Sequence, residues 1–396
     1  MRRLLAAIPP LLLLSACGLN GTDRNAEEDE AATATERRGA DSMASRDPRP
    51  GEQAEAGVPD SEARPIMQAQ VVLERLGFSS GIIDGREGQA MTNALLAFQE
   101  ANGLNDSGEL DEATRQALSR WSNIPATRVV TIPKEWGSVS YQPVPDEPEA
   151  QAQMQRLGYE SLDEALAERF HTTVEVLREL NPGGRPAGAP GAQTATATPS
   201  PTATPSPTGS AIASPAPLFR AGQQIRVPNV GADRIDASSV DDEGWLRTLA
   251  SLGVGTQQPE VARIVVDKSG GWLKAYDKTD KLVAAFTVTT GSEHDPLPLG
   301  KWGINGVAHN PDFSFDPELF WDVPNSEDKQ RLPPGPNGPV GVVWIDLTKE
   351  HYGIHGTSEP DTIGSAQSHG CVRLTNWDAA RLAQMVSGST EVIFQA

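Results

Sequence analysis

The chain has 396 residues, of which 32 are proline and 37 are glycine, and its formal net charge is −20. This length exceeds that of one ordinary domain, and the proline and glycine content favours several domains joined by linkers. The acidic balance disfavours nucleic acid as a partner, because surfaces that bind nucleic acid are basic. The two cysteines, Cys17 and Cys371, limit what disulfide or thiol chemistry the chain can perform.

Residues 1–17 have the features of an export signal. A short basic start precedes an apolar run over residues 4–14, which is too short to cross a bilayer as a helix. The run ends in Leu-Ser-Ala-Cys, which resembles a bacterial lipobox and predicts lipidation of Cys17. Cleavage near Ala16 by ordinary secretion is the alternative. Because Gly18 follows the cysteine, the resemblance implies an exported, periplasmic protein anchored to the outer membrane.

If Cys17 is lipidated, Cys371 is left as the one thiol of the mature chain, so no internal disulfide can form. Residues 18–63 are rich in Glu, Asp, Ala and Arg and have almost no large apolar side chains. Such a segment cannot bury a core, so it is predicted to be a disordered acidic tether.

Residues 64–121 show apolar side chains at helical spacing, interrupted by glycine-rich turns, and predict a small three-helix bundle. The pattern resembles the peptidoglycan-binding domain. The matching residues are Leu76-Gly77-Phe78, Gly81, Asp84-Gly85, Ala94-Leu95, Phe98-Gln99, Asn102-Gly103-Leu104, Gly108, Leu110-Asp111 and Thr114. We assign the apolar residues to the core and the polar loop over residues 84–86 to possible ligand contact.

Residues 150–229 contain two predicted helices, over 163–170 and 173–181. The strings LAERFHTTVEVLRELNP and FRAGQQIRVPN resemble the LysM glycan-binding module. The usual opening strand is not evident, since residues 122–149 read as irregular. An insertion over 183–217, rich in Pro and Thr, is predicted to be disordered or extended. A binding module and a degenerate spacer both fit this LysM-like segment.

Residues 260–396 contain mostly short strand patterns and one clear helix, over 377–387, with Thr375 or Asn376 as its cap. The pattern predicts a mainly β domain built from two packed sheets or a flattened barrel.

Two histidines lie near Cys371 in sequence, His355 and His369, and glycines flank all three residues. A thiol beside an imidazole is the minimal equipment for covalent catalysis, because the imidazole takes the proton and the thiolate attacks a carbonyl. A buried inert cysteine is one alternative. Part of a metal site is another, although no second cysteine is available for it.

The wider sequence is informative. PPGPNGPVGVVWIDL (333–347), YGIHGT (352–357) and IGSAQSHGCVRL (363–374) together resemble the YkuD-type L,D-transpeptidase catalytic domain. The resemblance implies a β-sandwich with Cys371 as the nucleophile and His355 as the base. It also implies that a backbone carbonyl near Gly356 holds the other ring nitrogen of His355.

The remaining motif residues have less certain roles. The N–H groups of Gly370 and Cys371 are natural oxyanion donors, and His369 could assist, orient or line the cleft. Arg373 offers a fork for a carboxylate or forms a structural ion pair. Tyr352, Gly356 and Ser368 are, with Arg373, the candidates for substrate binding. The hydroxyl of Ser368, like that of Thr357, also suits a loop hydrogen bond.

The resemblance further implies a peptidoglycan tetrapeptide stem as donor, cleaved with release of D-Ala and then joined to an amine. Water as acceptor would make an L,D-carboxypeptidase, and a protein lysine would make an enzyme that anchors a lipoprotein to the wall. No metal or cofactor is implied. The expected partners are stem peptides and glycan, with an outer-membrane lipid anchor, no nucleic acid and a monomeric chain. A non-catalytic wall-binding scaffold is the alternative of another class.

Overall fold

The computed structural model describes residues 58–191, 217–231, 234–319, 328–366, 368 and 370–396. The signal segment, most of the tether, residues 192–216 and His369 therefore lie outside the described residues. All described residues belong to one compact unit that starts at Met43. Within these ranges, no helix has both the length and the apolar character needed to cross a membrane.

The N-terminal region is helical. It consists of α1 (Pro65–Arg75), α2 (Gln89–Ala101) and α3 (Glu112–Leu118). Proline occupies the first position of α1, where its missing N–H costs nothing, and the Asp111 side chain caps α3 by accepting from the Thr114 N–H. Leu73, Leu95 and Phe98 are buried between the helices. The prediction of a helical N-terminal region is confirmed.

The second region has the order strand, helices, strand. It consists of β1 (Thr127–Thr131), α4 (Pro148–Ala152), α5 (Leu162–Arg169), α6 (Val174–Leu180) and β2 (Gln224–Pro228). β1 pairs antiparallel with β2, and Thr127 lies opposite Pro228. The expectation that residues 122–149 are irregular is therefore wrong for β1. Four of its five residues are buried, so it lacks the in–out alternation that identifies a strand from sequence.

Two segments expected to lack structure are packed against a buried arginine. Arg226 on β2 donates from Nε to the Ala187 carbonyl at 3.0 Å and from Nη2 to the Val58 carbonyl at 2.8 Å. A buried guanidinium needs acceptors for its donors, and these two backbones supply them. The predicted insertion over 183–217 is thus ordered over 183–191, and the predicted tether over 18–63 is ordered over 58–63.

The described part of the third region contains a five-stranded sheet, a four-stranded sheet, a separate two-stranded pair and two α-helices. Its elements are α7 (Glu243–Leu252), β3 (Arg263–Asp267), β4 (Trp272–Tyr276), β5 (Leu282–Thr287), β6 (Gly300–Trp302), β7 (Ile304–His309), β8 (Phe313–Phe315), β9 (Gln330–Leu332), β10 (Val343–Leu347), β11 (Gly353–His355), β12 (Val372–Arg373), α8 (Asn376–Met385) and β13 (Glu391–Gln395). The strand orders are β5-β4-β3-β13-β6 and β12-β11-β10-β7, and β8 pairs with β9.

Both sheets and helix α8 share one hydrophobic core, to which Phe286, Ile345 and Trp377 contribute. The Thr375 hydroxyl caps α8 by accepting from the Asp378 N–H, as the sequence indicated. The mainly β character predicted for this region is confirmed. α7, with Asp242 as its cap, was not foreseen from the sequence.

The helical region covers one edge of the larger sheet. Ala285 on β5 donates its N–H to the Gly77 carbonyl at 2.9 Å and accepts from the Ser79 N–H at 2.8 Å. Gly77 has φ +92, and a β-carbon there would lie 3.0 Å from the Val283 carbonyl oxygen. Glycine therefore permits the close approach, and the otherwise exposed edge of β5 is paired.

All three regions meet on helix α8. Glu74 of α1 accepts from Arg381 of α8 at 2.8 Å, and its carboxylate lies 3.0 Å from Nδ1 of His171 in the second region. The His171 ring stacks on Trp377 of α8 with centroids 4.8 Å apart. Because α8 follows directly after β12, these buried contacts connect all regions to the segment that contains Cys371.

Candidate active site

The parallel pair β11 and β12 brings the motif residues together. His355 lies opposite Arg373 in this pairing. Cys371 directly precedes β12 and receives a hydrogen bond from the Gly353 N–H. Side chains alternate along a strand, so Cys371, Arg373 and His355 share one face, while Val372 points into the core and is fully buried.

The Cys371 thiol is half-buried and points toward the turn before β11. It donates to the carbonyl of His351 at 3.8 Å, and His351 itself has φ +66. Burial raises the pKa of the Cys371 thiol, while the Gly353 N–H and the charge of Arg373 act to lower it. The thiol is therefore protonated at rest near neutral pH.

The His355 ring is held in one tautomer. Its Nδ1–H donates to the carbonyl of Gly356 at 2.7 Å, so Nε2 carries the free lone pair. Burial, with the positive charge of Arg373 added, lowers the pKa of His355 to about 3. The imidazole is thus neutral at pH 7, and the pair of His355 and Cys371 rests as imidazole and thiol rather than as ions.

Gly370 occupies a position that only glycine suits. Its φ is +102, and a β-carbon would lie 2.7 Å from the Tyr352 ring. A β-carbon at Gly291 would in turn lie 2.9 Å from the Gly370 Cα, so the segment around Gly291 also packs against this loop. Burial raises the pKa of Tyr352, and the Asp295 carboxylate, together with Cys371 when it is ionised, adds to the increase.

Ser368 holds the backbone that precedes the nucleophile. Its hydroxyl donates to the Cys371 carbonyl at 2.6 Å, and its N–H donates to the Thr290 carbonyl at 3.0 Å. Its own carbonyl accepts from the Ser292 N–H at 3.1 Å. This set of contacts secures the loop on both sides of Gly370.

Arg373 is anchored through its backbone and has donor capacity left on its side chain. Its N–H donates to the Thr289 carbonyl at 2.8 Å. Its Nε is buried and has no hydrogen-bond partner among the described residues. Burial lowers the pKa of its guanidinium, and the Glu359 carboxylate, together with Cys371 when it is ionised, opposes that shift. A guanidinium in this state can receive a carboxylate.

The second candidate histidine, His369, lies outside the described residues. In the part of the chain that the structure describes, no three His, Cys, Asp or Glu side chains are grouped closely enough to hold a metal ion.

Comparison with known proteins adds to this geometry. Residues 261–394 match the family model of the YkuD L,D-transpeptidase catalytic domain. A Bacillus licheniformis relative named "Putative L,D-transpeptidase YkuD" is 33% identical over 140 residues, which cover 35% of this chain and 69% of the relative. The chain belongs to the YkuD family of L,D-transpeptidases.

Other similarities cover less of the chain or of its relatives. Residues 63–118 of this L,D-transpeptidase match the model "Putative peptidoglycan binding domain". The Bacillus subtilis protein "Putative L,D-transpeptidase YkuD" is 51% identical over 57 residues, which are 14% of this chain and 35% of that protein. The crystal structure of L,D-transpeptidase 3 from Mycobacterium tuberculosis in complex with a faropenem-derived adduct aligns with 36% of this chain. The alignment covers 62% of the mycobacterial chain, with 18% identity and a TM-score of 0.29.

The family assignment and the peptidoglycan-binding domain, both predicted from motifs, are confirmed. Two residues of the site were missed as such. Trp344 stacks on His355 with ring centroids 5.5 Å apart and lies against Gly353, where a β-carbon would come within 2.5 Å of the indole. Asn376 was considered only as a helix cap, yet its side chain fills the space that a side chain at Gly356 would need.

A signal for these two residues exists in the sequence. Trp344 and Asn376 lie in the same part of the sequence as three glycines, Gly341, Gly353 and Gly356. A buried large side chain commonly packs where glycine leaves room. The three-dimensional partners, however, are on different strands and could not be paired by inspection.

Proposed function

We propose that this protein is a peptidoglycan L,D-transpeptidase in which Cys371 forms an acyl-enzyme from a tetrapeptide stem. The observation that supports this most directly is the hydrogen bond from His355 Nδ1 to the Gly356 carbonyl, on the strand beside Cys371. It leaves Nε2 unprotonated on the face that the thiol shares, which is what a general base requires.

In the first half-reaction the Cys371 sulfur attacks the carbonyl at the L-centre of the diamino acid while its proton passes to His355 Nε2. The bond from that carbonyl to the amine of the terminal D-Ala then breaks. The imidazolium gives its proton to the leaving amine, and D-Ala departs. The N–H groups of Gly370 and Cys371 are the donors that we assign to the developing oxyanion.

In the second half-reaction an amine of another stem attacks the thioester. Its proton passes to His355, and the bond to sulfur breaks to restore the thiol, which leaves a new amide crosslink. In the first half-reaction His355 and Cys371 start as uncharged imidazole and thiol, so the proton moves as the sulfur attacks and no ion pair forms beforehand. Water in place of the amine gives L,D-carboxypeptidase activity, and a lysine of another protein gives wall anchoring.

Arg373 and Tyr352 are the residues that we assign to substrate binding. Arg373 lies opposite His355 on the neighbouring strand, and we assign its guanidinium to a carboxylate of the stem. Tyr352 lies over Gly370, so its ring forms the wall beside the nucleophile.

Mass spectrometry of muropeptides incubated with the protein tests the proposal. We expect loss of D-Ala from tetrapeptides and new crosslinked products, and we expect Cys371→Ser to form neither. A carbapenem should add its mass to the wild type and not to Cys371→Ser. Wild-type protein that releases no D-Ala and forms no adduct would instead support a non-catalytic scaffold, and an adduct on Cys371→Ser would place the nucleophile elsewhere.

The second region is proposed to be a LysM-like module that contributes to glycan binding. The support is its fold, in which the antiparallel pair β1 and β2 accompanies helices α5 and α6. Co-sedimentation with insoluble peptidoglycan tests this. Protein that does not sediment would refute binding by the second region. Loss of sedimentation on substituting residues 84–86, of which Arg86 is exposed, would assign the binding to the helical N-terminal region instead.

We further propose that the protein is exported and lipidated at Cys17, which places it at the outer membrane. The support is the apolar run and the Leu-Ser-Ala-Cys ending. Cys17→Ser should yield unprocessed or soluble protein. Outer-membrane fractionation of that variant identical to wild type would refute the lipid anchor.

A further inference from the structure

The loop that leads into β10 is held by the second region. Leu157 donates its N–H to the Pro334 carbonyl at 3.1 Å and accepts from the Asn337 N–H at 3.0 Å. The Asn337 side chain donates to Glu164 of α5 at 2.7 Å. A β-carbon at Gly335 would overlap the Leu157 carbonyl, so the contact is close along the backbone. This loop belongs to the catalytic motif, and its conformation depends on another module.

A buried carboxylate extends that contact to helix α8. Glu168 of α5 is 6% exposed and accepts from Asn376 Nδ2 at 2.7 Å with one oxygen. Its other oxygen accepts from the Tyr159 hydroxyl at 2.5 Å. A buried carboxylate is costly unless it is hydrogen-bonded, and here both oxygens are occupied. Asn376 Nδ2 also donates to the Pro336 carbonyl at 3.1 Å, so Glu168 and Pro336 together set the direction in which the Asn376 amide faces, and Glu168 accepts the shorter of the two hydrogen bonds.

The other end of that amide reaches the catalytic strand. Asn376 is fully buried, and its Oδ1 accepts from the Val342 N–H at 3.2 Å. The same oxygen occupies the space where side chains at Gly341 and Gly356 would stand. Gly356 is the residue whose carbonyl holds Nδ1 of His355. A continuous series of contacts therefore runs from Glu168 through Asn376 to His355.

We propose that Glu168 is a positioning residue for catalysis, which fixes the Asn376 amide and through it the Gly356 carbonyl and the His355 ring. The second region thereby completes the catalytic site in addition to any role in wall binding. This inference rests on the proposed function, in which His355 is the base for Cys371.

A purely structural role for Glu168 would attach one region to the other without directing the histidine. Glu164 offers a matched control, because it lies on the same helix and binds the same catalytic-motif loop through Asn337 without contacting Asn376. Glu168→Gln offers the conservative rescue, since its amide oxygen can accept from Asn376 and its amide nitrogen can donate to the Tyr159 oxygen.

The experiment uses the full chain and measures the saturating rate of Cys371 acylation by a carbapenem, together with kcat and KM for D-Ala release. We expect Glu168→Ala to slow both acylation and kcat by about ten- to a hundredfold, as misplacement of a catalytic group does, with KM little changed. Glu168→Gln and Glu164→Ala should both stay within about threefold of wild type in acylation and kcat, because both keep a hydrogen-bond acceptor for Asn376 at position 168.

Tyr159→Phe provides a milder test that keeps the core volume, and we expect it to slow acylation by about three- to tenfold. Wild-type rates in both Glu168→Ala and Tyr159→Phe would overturn the inference, and so would an equal loss in Glu164→Ala. A loss in Glu168→Ala that Glu168→Gln does not restore would also overturn it. Wild-type protein that neither releases D-Ala nor is acylated would reject the proposed function instead.

Discussion

Two buried histidines in this chain each stack on a tryptophan, yet their hydrogen bonds give them different chemistry. His355 donates from Nδ1 to the Gly356 carbonyl, and among the described residues no partner takes Nε2. His171 has both ring nitrogens engaged, with Nδ1 3.0 Å from the Glu74 carboxylate and Nε2 3.3 Å from the Leu252 carbonyl. Only the first ring keeps a lone pair that can accept a proton from a reacting group.

The two rings also have neighbours of opposite charge. Glu74 places a carboxylate beside His171, and Arg381 completes a buried network. Burial acts to raise the pKa of the Glu74 carboxyl, but the Arg381 charge and the hydrogen bond from His171 hold that pKa below its usual value. His355 instead faces the positive charge of Arg373 in a buried site, which keeps its ring neutral. Burial and aromatic stacking therefore do not distinguish a catalytic histidine from a structural one, whereas the number of free ring nitrogens does.

The largest expected effect is on activity at the first of these histidines. His355→Ala should lower D-Ala release about a hundred- to ten-thousand-fold, because the thiol proton then has no positioned acceptor, and it should do so even per folded molecule. His171→Ala should do the reverse, with a lower midpoint and normal activity per folded molecule. Steady-state assays and thermal unfolding measure both.

His369→Ala is the control within the motif and should cost less activity than His355→Ala. A greater loss at His369 would move the base to that residue. If His171→Ala lost more activity per folded molecule than His355→Ala, the distinction between a structural His171 and a catalytic His355 would be wrong.

The second effect concerns the buried network around His171. Glu74→Ala should lower the free energy of unfolding by about 3–5 kcal/mol, because it removes the carboxylate that forms a buried ion pair with Arg381 at 2.8 Å. Glu100→Ala is the matched control, since its ion pair with Lys274 is partly exposed and is expected to contribute less than about 1 kcal/mol. Urea titration compares the two, and equal losses would contradict the prediction.

The third effect concerns the pH dependence of stability. The pKa of His355 is about 3 in the folded protein, below the ordinary 6.5, so the unfolded chain binds its proton first as the pH falls. Stability from this group is complete above pH 6.5 and is lost toward pH 3, by about 1.4 kcal/mol per pH unit. Between about pH 7 and pH 5 the urea midpoint of wild type should fall more steeply than that of His355→Gln, which lacks the titrating ring, and parallel curves would refute the neutral assignment.

The smallest effect is expected for residues 192–216 of the Pro/Thr-rich insertion, whose composition offers almost no large apolar side chain to bury. Deleting residues 192–216 should change the free energy of unfolding by less than about 0.5 kcal/mol, measured by urea titration, and leave acylation of Cys371 unchanged. Deleting residues 183–191 as well should destabilise the protein clearly, since it removes the Ala187 carbonyl from the buried Arg226. A large loss from the shorter deletion would show that it removes packed structure.

Local patterns predicted the elements that stabilise themselves over a few residues. The helical spacing in residues 64–121 led to α1–α3, and the Thr375 cap marked the start of α8. The strand β1 was missed because its partner β2 lies far along the chain and both are buried on more than one side. The stability of a strand pair that is so far apart in sequence depends on the whole fold and not on the sequence of either strand alone.

The sequence by itself determined the chemistry of this protein: a thiol at Cys371, an imidazole at His355, and glycines at 356 and 370 that allow backbone and side chains to come close. Only the tertiary structure decided which nitrogen of His355 is free, because that depends on a hydrogen bond to the Gly356 carbonyl. It also decided that Glu168 of another region reaches Asn376 behind the site. The physical reason is that burial and charge act through space, so the pKa and tautomer of a residue are set by neighbours that are distant along the chain.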